Sequence, residues 1–315
     1  MEYLVLLAVL GAFLFVDLAW INRSHDIEQQ NRPIKAMIWT GVCAASAIAF
    51  GMALIPAYNN GWIETRVGSQ LSGSDAALQF LTAWLVEQSL SLDNVFVMAV
   101  ILNFFKVPLA QHHRVLMLGI LGAIVMRGIC IFLGAALIQQ FDWMNYIFSA
   151  LLLLAAYKLW KLEEGEFDPS ASPAYRLATR FLPLSERFDG GRFTTREAGR
   201  FVFTRLFVVL ILIEFTDLMF AFDSIPAVFA ISSDPFIVFA SNMFAILNLR
   251  SLYSVLSVLL ERFSGLKYGL IGVLAFIGLK MAVHDFVHIP TALSSLIILS
   301  LLIFGLVKKT PTAAK

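Results

Sequence analysis

Charged residues are scarce in this chain. Asp, Glu, Lys and Arg make up 14% of its 315 residues, against about 25% in an ordinary soluble domain. A soluble fold of this length is excluded, because too little polar surface exists to cover it. Cysteine is scarcer still. Only Cys43 and Cys130 occur, both inside apolar segments and neither in a CxxC pair. That argues against a disulfide framework or a thiolate metal cluster. No P-loop or kinase-like motif is present, so ATP drive within this chain is not expected. The net charge is +1, and no basic stripe interleaved with aromatics appears, so nucleic acid is not an expected partner. A secretory leader is not expected either. Glu2 stands where a basic region belongs, and the basic flank follows the apolar run.

What is abundant is hydrocarbon. The chain is 59% hydrophobic, and many of its runs approach the roughly 20 residues that span a bilayer. Turn signals separate nine of them: Tyr3–Trp20, Ala36–Ile55, Ala77–Phe104, Val115–Ile138, Trp143–Trp160, Phe201–Ile231, Pro235–Leu259, Leu266–Asp285 and Ile289–Val307. The expected fold is an all-α polytopic membrane protein of about nine transmembrane helices.

Lys and Arg alternate from loop to loop. Arg23, Arg32 and Lys35 follow the first span, and Lys106 and Arg114 the third. Six arginines, from Arg176 to Arg200, follow the fifth. Arg262 and Lys267 follow the seventh, and Lys308 and Lys309 the last. The intervening loops are nearly free of bases, Arg66 excepted. The positive-inside rule therefore places the N-terminus outside and the C-terminus in the cytoplasm.

Two acidic stretches interrupt the hydrocarbon. The third span carries Glu87-Gln-Ser-Leu-Ser-Leu-Asp93-Asn94. The sixth carries Glu214-Phe-Thr-Asp217-Leu-Met-Phe-Ala-Phe-Asp223-Ser224-Ile-Pro226. An Asp at mid-helix costs roughly 2.5–3.5 kcal/mol on insertion scales, so acids in a membrane span mark a functional site. Glu87 precedes Asp93, and Asp217 precedes Asp223, by the same six-residue step. The two spans run in opposite directions, the pattern of an inverted repeat with its site at mid-membrane. The expected organisation is two N-terminal spans (1–76), a first repeat (77–161), a cytoplasmic connector (162–200), a second repeat with a broken acidic helix (201–286), and a last span with its tail (287–315). Pro226 is expected to kink or unwind the helix near Asp223. The connector reads as flexible, with a short amphipathic helix around Tyr175–Phe181.

Arg127, Arg250 and Lys280 also fall at mid-span. Five acids against three bases leave two negative charges, which one divalent cation would balance. Oxygen donors without Cys or His beside them suit Mg²⁺, Ca²⁺ or Mn²⁺ rather than zinc or copper. Glu87, Asp93, Glu214, Asp217 and Asp223 are the candidate metal ligands. Asn94, Ser224 and Asn248 are candidate neutral donors. Arg127, Arg250 and Lys280 are candidate partners of the acids, and Asp17 is a candidate gate. Each has a plainer reading: ion pairing within the bundle for the acids, interhelical hydrogen bonding for the neutral groups, an interfacial position for Asp17.

The two acidic stretches resemble those of the TerC family, closest to its Alx-type members. The resemblance extends through Ser241-Asn242-Met-Phe-Ala-Ile-Leu-Asn248-Leu-Arg250-Ser-Leu-Tyr253, Glu261-Arg-Phe-Ser-Gly-Leu-Lys267-Tyr-Gly and Phe276-Ile-Gly-Leu-Lys280-Met. Asn248 departs from it, standing where a small residue such as Gly is expected. The resemblance implies manganese export across a bacterial inner membrane, with the five acids as the matching positions, and a link to tellurite resistance. The expected activity is secondary transport of a divalent cation, with protons as a natural counter-ion. No resident cofactor is expected; Mn²⁺ is cargo. The expected partners are the bilayer and the metal ion, and protein partners are not legible. An intramembrane hydrolase would need Tyr-Asp and Gly-x-Gly-Asp settings that are missing. The alternative is a membrane-embedded organiser of a metal or tellurite stress-response complex, docked through the basic loop.

Overall fold

The computed structural model describes residues 2–22, 32–63, 71–141, 143–161, 172–185, 189–197, 200–259, 266–283, 286–287 and 289–307. Some side chains within its helices, those of Asp17, Asp93 and Arg250 among them, lie outside the description. Helix dominates because backbone groups in hydrocarbon must bond within their own segment. In chain order come α1 (Glu2–Asn22), α2 (Arg32–Asn59), α3 (Gly73–Phe104), α4 (Leu109–Gln140), α5 (Met144–Lys161) and the short α6 (Pro173–Phe181). A hairpin of β1 (Thr194–Glu197) and β2 (Arg200–Phe203) follows. Then come α7 (Arg205–Ile231), α8 (Pro235–Leu259), α9 (Leu266–Ala282) and α10 (Thr291–Val307). Among the described residues, 37–59, 73–104 and 109–140 are long and apolar enough to cross a membrane; shorter apolar stretches occur in α1, α8, α9 and α10. α7 has the length, at 27 residues, but carries three carboxylates.

The centre of the molecule is built from α3, α4, α7 and α8. α3 packs on α7 and α8, and α4 packs on the same two helices. α5 pairs with α9, α10 lies against α9 and α3, and α2 lies against α3 and α8. Aromatic rings fill the α2–α3–α8 seam: Phe50 lies 4.8 Å and Phe80 5.7 Å, centroid to centroid, from Phe244. The α2–α3 approach is close enough that any side chain at Gly73 would overlap the backbone of Ile55.

Four expectations change. α7 runs unbroken through Pro226, so the acidic helix is not broken there. A proline removes only one ladder hydrogen bond, and Pro226 is buried five residues before the helix ends. α2 likewise continues through Pro56, and the chain turns after Asn59, at Gly61 with φ of 69°. Phe201 does not begin a span. It lies in β2 opposite Arg196, whose guanidinium covers its ring at 4.4 Å. The described part of the connector is folded, not loose. Arg114 donates to the Gly191 carbonyl (2.9 Å), Thr204 Oγ1 to the Arg192 carbonyl (2.7 Å) and Ser185 Oγ to Glu197 (2.6 Å). The amphipathic helix is present as α6, capped by Ser172, which accepts from the Tyr175 N–H.

Candidate metal centre

α3 brings Glu87, Ser91 and Asn94 to one face, at i, i+4 and i+7. All three are buried. α7 presents Asp217 and Ser224 from one of its own faces at the same seven-residue spacing, and both are buried. Between them stands Arg127 of α4, 2% exposed and among the largest fully buried side chains.

Arg127 is the hub. Its Nη1 donates to both carboxylate oxygens of Glu87, at 3.0 and 3.1 Å, and to Asn242 Oδ1 of α8 at 3.2 Å. Its Nε and Nη2 donate to the two oxygens of Asp217, at 3.3 and 3.2 Å. The planar guanidinium suits this, since its forked donors match a carboxylate edge. Asn94 Nδ2 also donates to Asp217, and Ser224 Oγ donates to Glu87 at 2.7 Å. Four helices thus meet on one cation. Two carboxylates against one guanidinium leave the set one negative charge in excess when both are ionised.

Not every oxygen here is satisfied. Asn94 Oδ1 and Ser91 Oγ are buried and have no hydrogen-bond partner among the described residues. Asn94 cannot remedy this by flipping, because its oxygen would then face the Asp217 carboxylate. Buried polar atoms of this kind are usually matched by a water or an ion.

The other candidates lie differently. Glu214, one turn before Asp217, is half-buried against Gly122 of α4, where a methyl group would overlap its carboxylate. Among the described residues it makes no hydrogen bond or ion pair, and the like charge of Asp217 acts on it. Asp223 is half-buried within electrostatic reach of Lys158 of α5 and makes no contact with the Arg127 set. Among the described residues Lys280 pairs with no acid. Its ammonium donates to the Ala230 carbonyl at 3.2 Å. Asn248 is buried on α8 and is not among the partners of Arg127. Asp93, Arg250 and Asp17 lie outside the described side chains. So Glu87 and Asp217 are brought together and Glu214 and Asp223 stand outside their network. Among the described residues no three His, Cys, Asp or Glu side chains are grouped to hold a metal.

Residues 72–314 match the integral membrane protein TerC family. The chain belongs to that family. It is 42% identical over 297 residues to the putative membrane-bound redox modulator Alx of Escherichia coli K12, covering 94% of this chain and 89% of that protein. It is 40% identical over 296 residues to an uncharacterised membrane protein of Myxococcus xanthus, covering 94% and 88%. An uncharacterised membrane protein of Rickettsia felis is 35% identical over 307 residues, covering 98% and 96%. No solved structure matches. This TerC-family chain is therefore a multi-pass, all-α membrane protein.

Sequence reasoning missed three members of the site. Asn242 stands inside a motif quoted for the resemblance, yet a lone Asn in an apolar run is most simply a helix–helix hydrogen bond. Ser91 reads as a helix-softening hydroxyl. Gly122 has no side chain to signal anything. What marks it is packing alone.

Proposed function

We propose that this chain is a secondary transporter that carries a hard divalent cation, Mn²⁺ by family resemblance, out of the cytoplasm across a bacterial inner membrane. The observation that carries the reading is the Arg127 network: two buried carboxylates sharing one guanidinium beside two buried oxygens that have no partner among the described residues. A purely structural ion pair would match charge for charge, whereas here two carboxylates meet one guanidinium among the described residues.

In this reading Arg127 is a resident counter-cation. It holds Glu87 and Asp217 together when no metal is bound. An arriving divalent ion takes over one or both carboxylates, with Asn94 Oδ1 and Ser91 Oγ as neutral donors, and the guanidinium gives way. Glu214 and Asp223, held outside the pair on the same helix, are stations on either side of it. Carboxylates released from a cation take up protons, which supplies an antiport partner. The packing supports an inverted repeat, because exchanging α3, α4, α5 with α7, α8, α9 turns the α3–α8 contact into the α7–α4 contact and leaves the α5–α9 pair in place. Such repeats carry their site at mid-membrane.

The test is cellular Mn²⁺ content in a strain lacking other exporters. Wild type is expected to lower it, and Glu214→Gln and Asp223→Asn to abolish that effect at equal expression. Wild-type export by both variants overturns the assignment. A second reading, an organiser of a stress-response complex, is favoured by the folded α6 and hairpin unit. It predicts that purified chain alone moves no metal.

A further inference from the structure

The strongest unassigned feature lies between α6 and α7. α6 is sharply two-faced. Ala174 and Ala178 are buried toward α7, Leu177 and Phe181 continue that apolar stripe but stay 62% and 69% exposed, and Arg176 and Arg180 stand exposed on another face. Under the stripe runs a groove of about 570 Å³, lined by Leu177, Phe181 and Leu182 on one side and by Ile211 and Phe215 of α7 on the other. Its volume is in the range of sites that take one small ligand. Ile211 and Phe215 are six and ten residues into α7, roughly 9 and 15 Å below its start. With α7 entering the bilayer at its start, that reach would bring the groove to the depth of acyl chains. The Arg180 guanidinium lies 5.7 Å from the Phe181 ring centre, at the rim.

We propose that this groove binds one anionic phospholipid of the cytoplasmic leaflet, its acyl chain between α6 and α7 and its phosphate on Arg176 and Arg180. An apolar stripe beside an arginine face is how a helix lies at a lipid interface, and anionic headgroups reward each nearby cation. Water is the poorer occupant, because the lining offers it almost no polar partner. The lipid would rest against Phe215, the residue next to Glu214, so this site touches the acid-bearing helix. The proposal does not depend on what that helix transports.

The test uses the full chain in nanodiscs holding equal amounts of phosphatidylglycerol and phosphatidylcholine, followed by native mass spectrometry of the lipids retained. Wild type is expected to keep one phosphatidylglycerol per chain, preferred over phosphatidylcholine by roughly tenfold. Arg176→Gln with Arg180→Gln should bring that ratio to parity while lipid is still retained. Leu177→Gln with Phe181→Gln should reduce retention of both lipids. Melting temperature reports that each variant is folded, and the surface arginine pair is not expected to lower it. Equal retention of the two lipids by wild type overturns the proposal. So does a preference that survives loss of both arginines. A lipid-free dimer that the Leu177→Gln, Phe181→Gln variant dissolves also overturns it, by assigning the face to a second copy of the chain.

Discussion

Arg127 stands between two buried carboxylates and donates to both. Removing one partner of a buried pair leaves uncompensated charge and typically costs about 3–5 kcal/mol. Arg127→Gln is therefore expected to lower stability by that order in detergent, read by thermal unfolding. If the guanidinium stands in for a metal ion, added Mn²⁺ should restore part of the loss, because Glu87 and Asp217 are left free to bind it. No recovery with Mn²⁺ would make Arg127 purely structural. Gly122 gives a second test. A methyl group there displaces the Glu214 carboxylate, and disturbing a ligand's support costs roughly 10–100-fold in metal-site function. Gly122→Ala should lose at least tenfold in Mn²⁺ export at unchanged expression, measured by cellular metal content. The acids at this scale were legible, because ionised groups in hydrocarbon need a reason. Their partition was not. Which acid meets Arg127 depends on how α3, α4 and α7 face each other, and no local pattern encodes that.

Helices were the most readable elements. Long apolar runs bounded by Pro108 or by Ser232-Ser233-Asp234-Pro235 have one satisfactory backbone conformation in lipid. The start of α8 shows the local chemistry well. Asp234 Oδ1 accepts from the Phe236 N–H at 2.8 Å, Pro235 occupies the first helical position, and Tyr58 at the end of α2 donates to Asp234 Oδ2 at 3.0 Å. Burial pushes the Asp234 carboxyl above the usual range, although these hydrogen bonds pull it down. A raised folded-state value favours the protonated acid. Its stabilising contribution is thus present below the ordinary carboxylate value, about 3.9, and is lost as pH rises through the folded one. Asp234→Asn, an equally good cap, should flatten the acid side of the melting profile in detergent. An unchanged profile would assign that slope to other groups. The prolines misled in α2 and α7, because a single missing donor does not break a helix whose other bonds remain. The hairpin was missed because four-residue strands leave almost no periodicity to read, and Phe201 with Val202 and Phe203 merges with the apolar run behind it. Close packing of elements is illegible too. Gly73→Ala should push α3 from α2 and cost about 1–3 kcal/mol, the usual penalty for overpacking, read by thermal unfolding.

At the scale of the whole molecule, class and family were written in composition and motif together, since scarce charge and repeated apolar runs allow few other folds. Orientation rests on the basic loops. A cysteine placed near Lys309 should react with a membrane-impermeant maleimide only after the cytoplasmic face is opened, and labelling of intact cells would invert the topology. The transport reading binds these scales together: two acid-bearing helices in contact, with a guanidinium between them. Its most direct test is purified chain alone in proteoliposomes, with an Mn²⁺-sensitive dye inside and an imposed proton gradient. The account predicts Mn²⁺ entry that is driven by the gradient and lost in Glu87→Gln and Asp217→Asn. Wild-type vesicles that admit no more Mn²⁺ than empty ones, while the chain is folded and inserted, would contradict it.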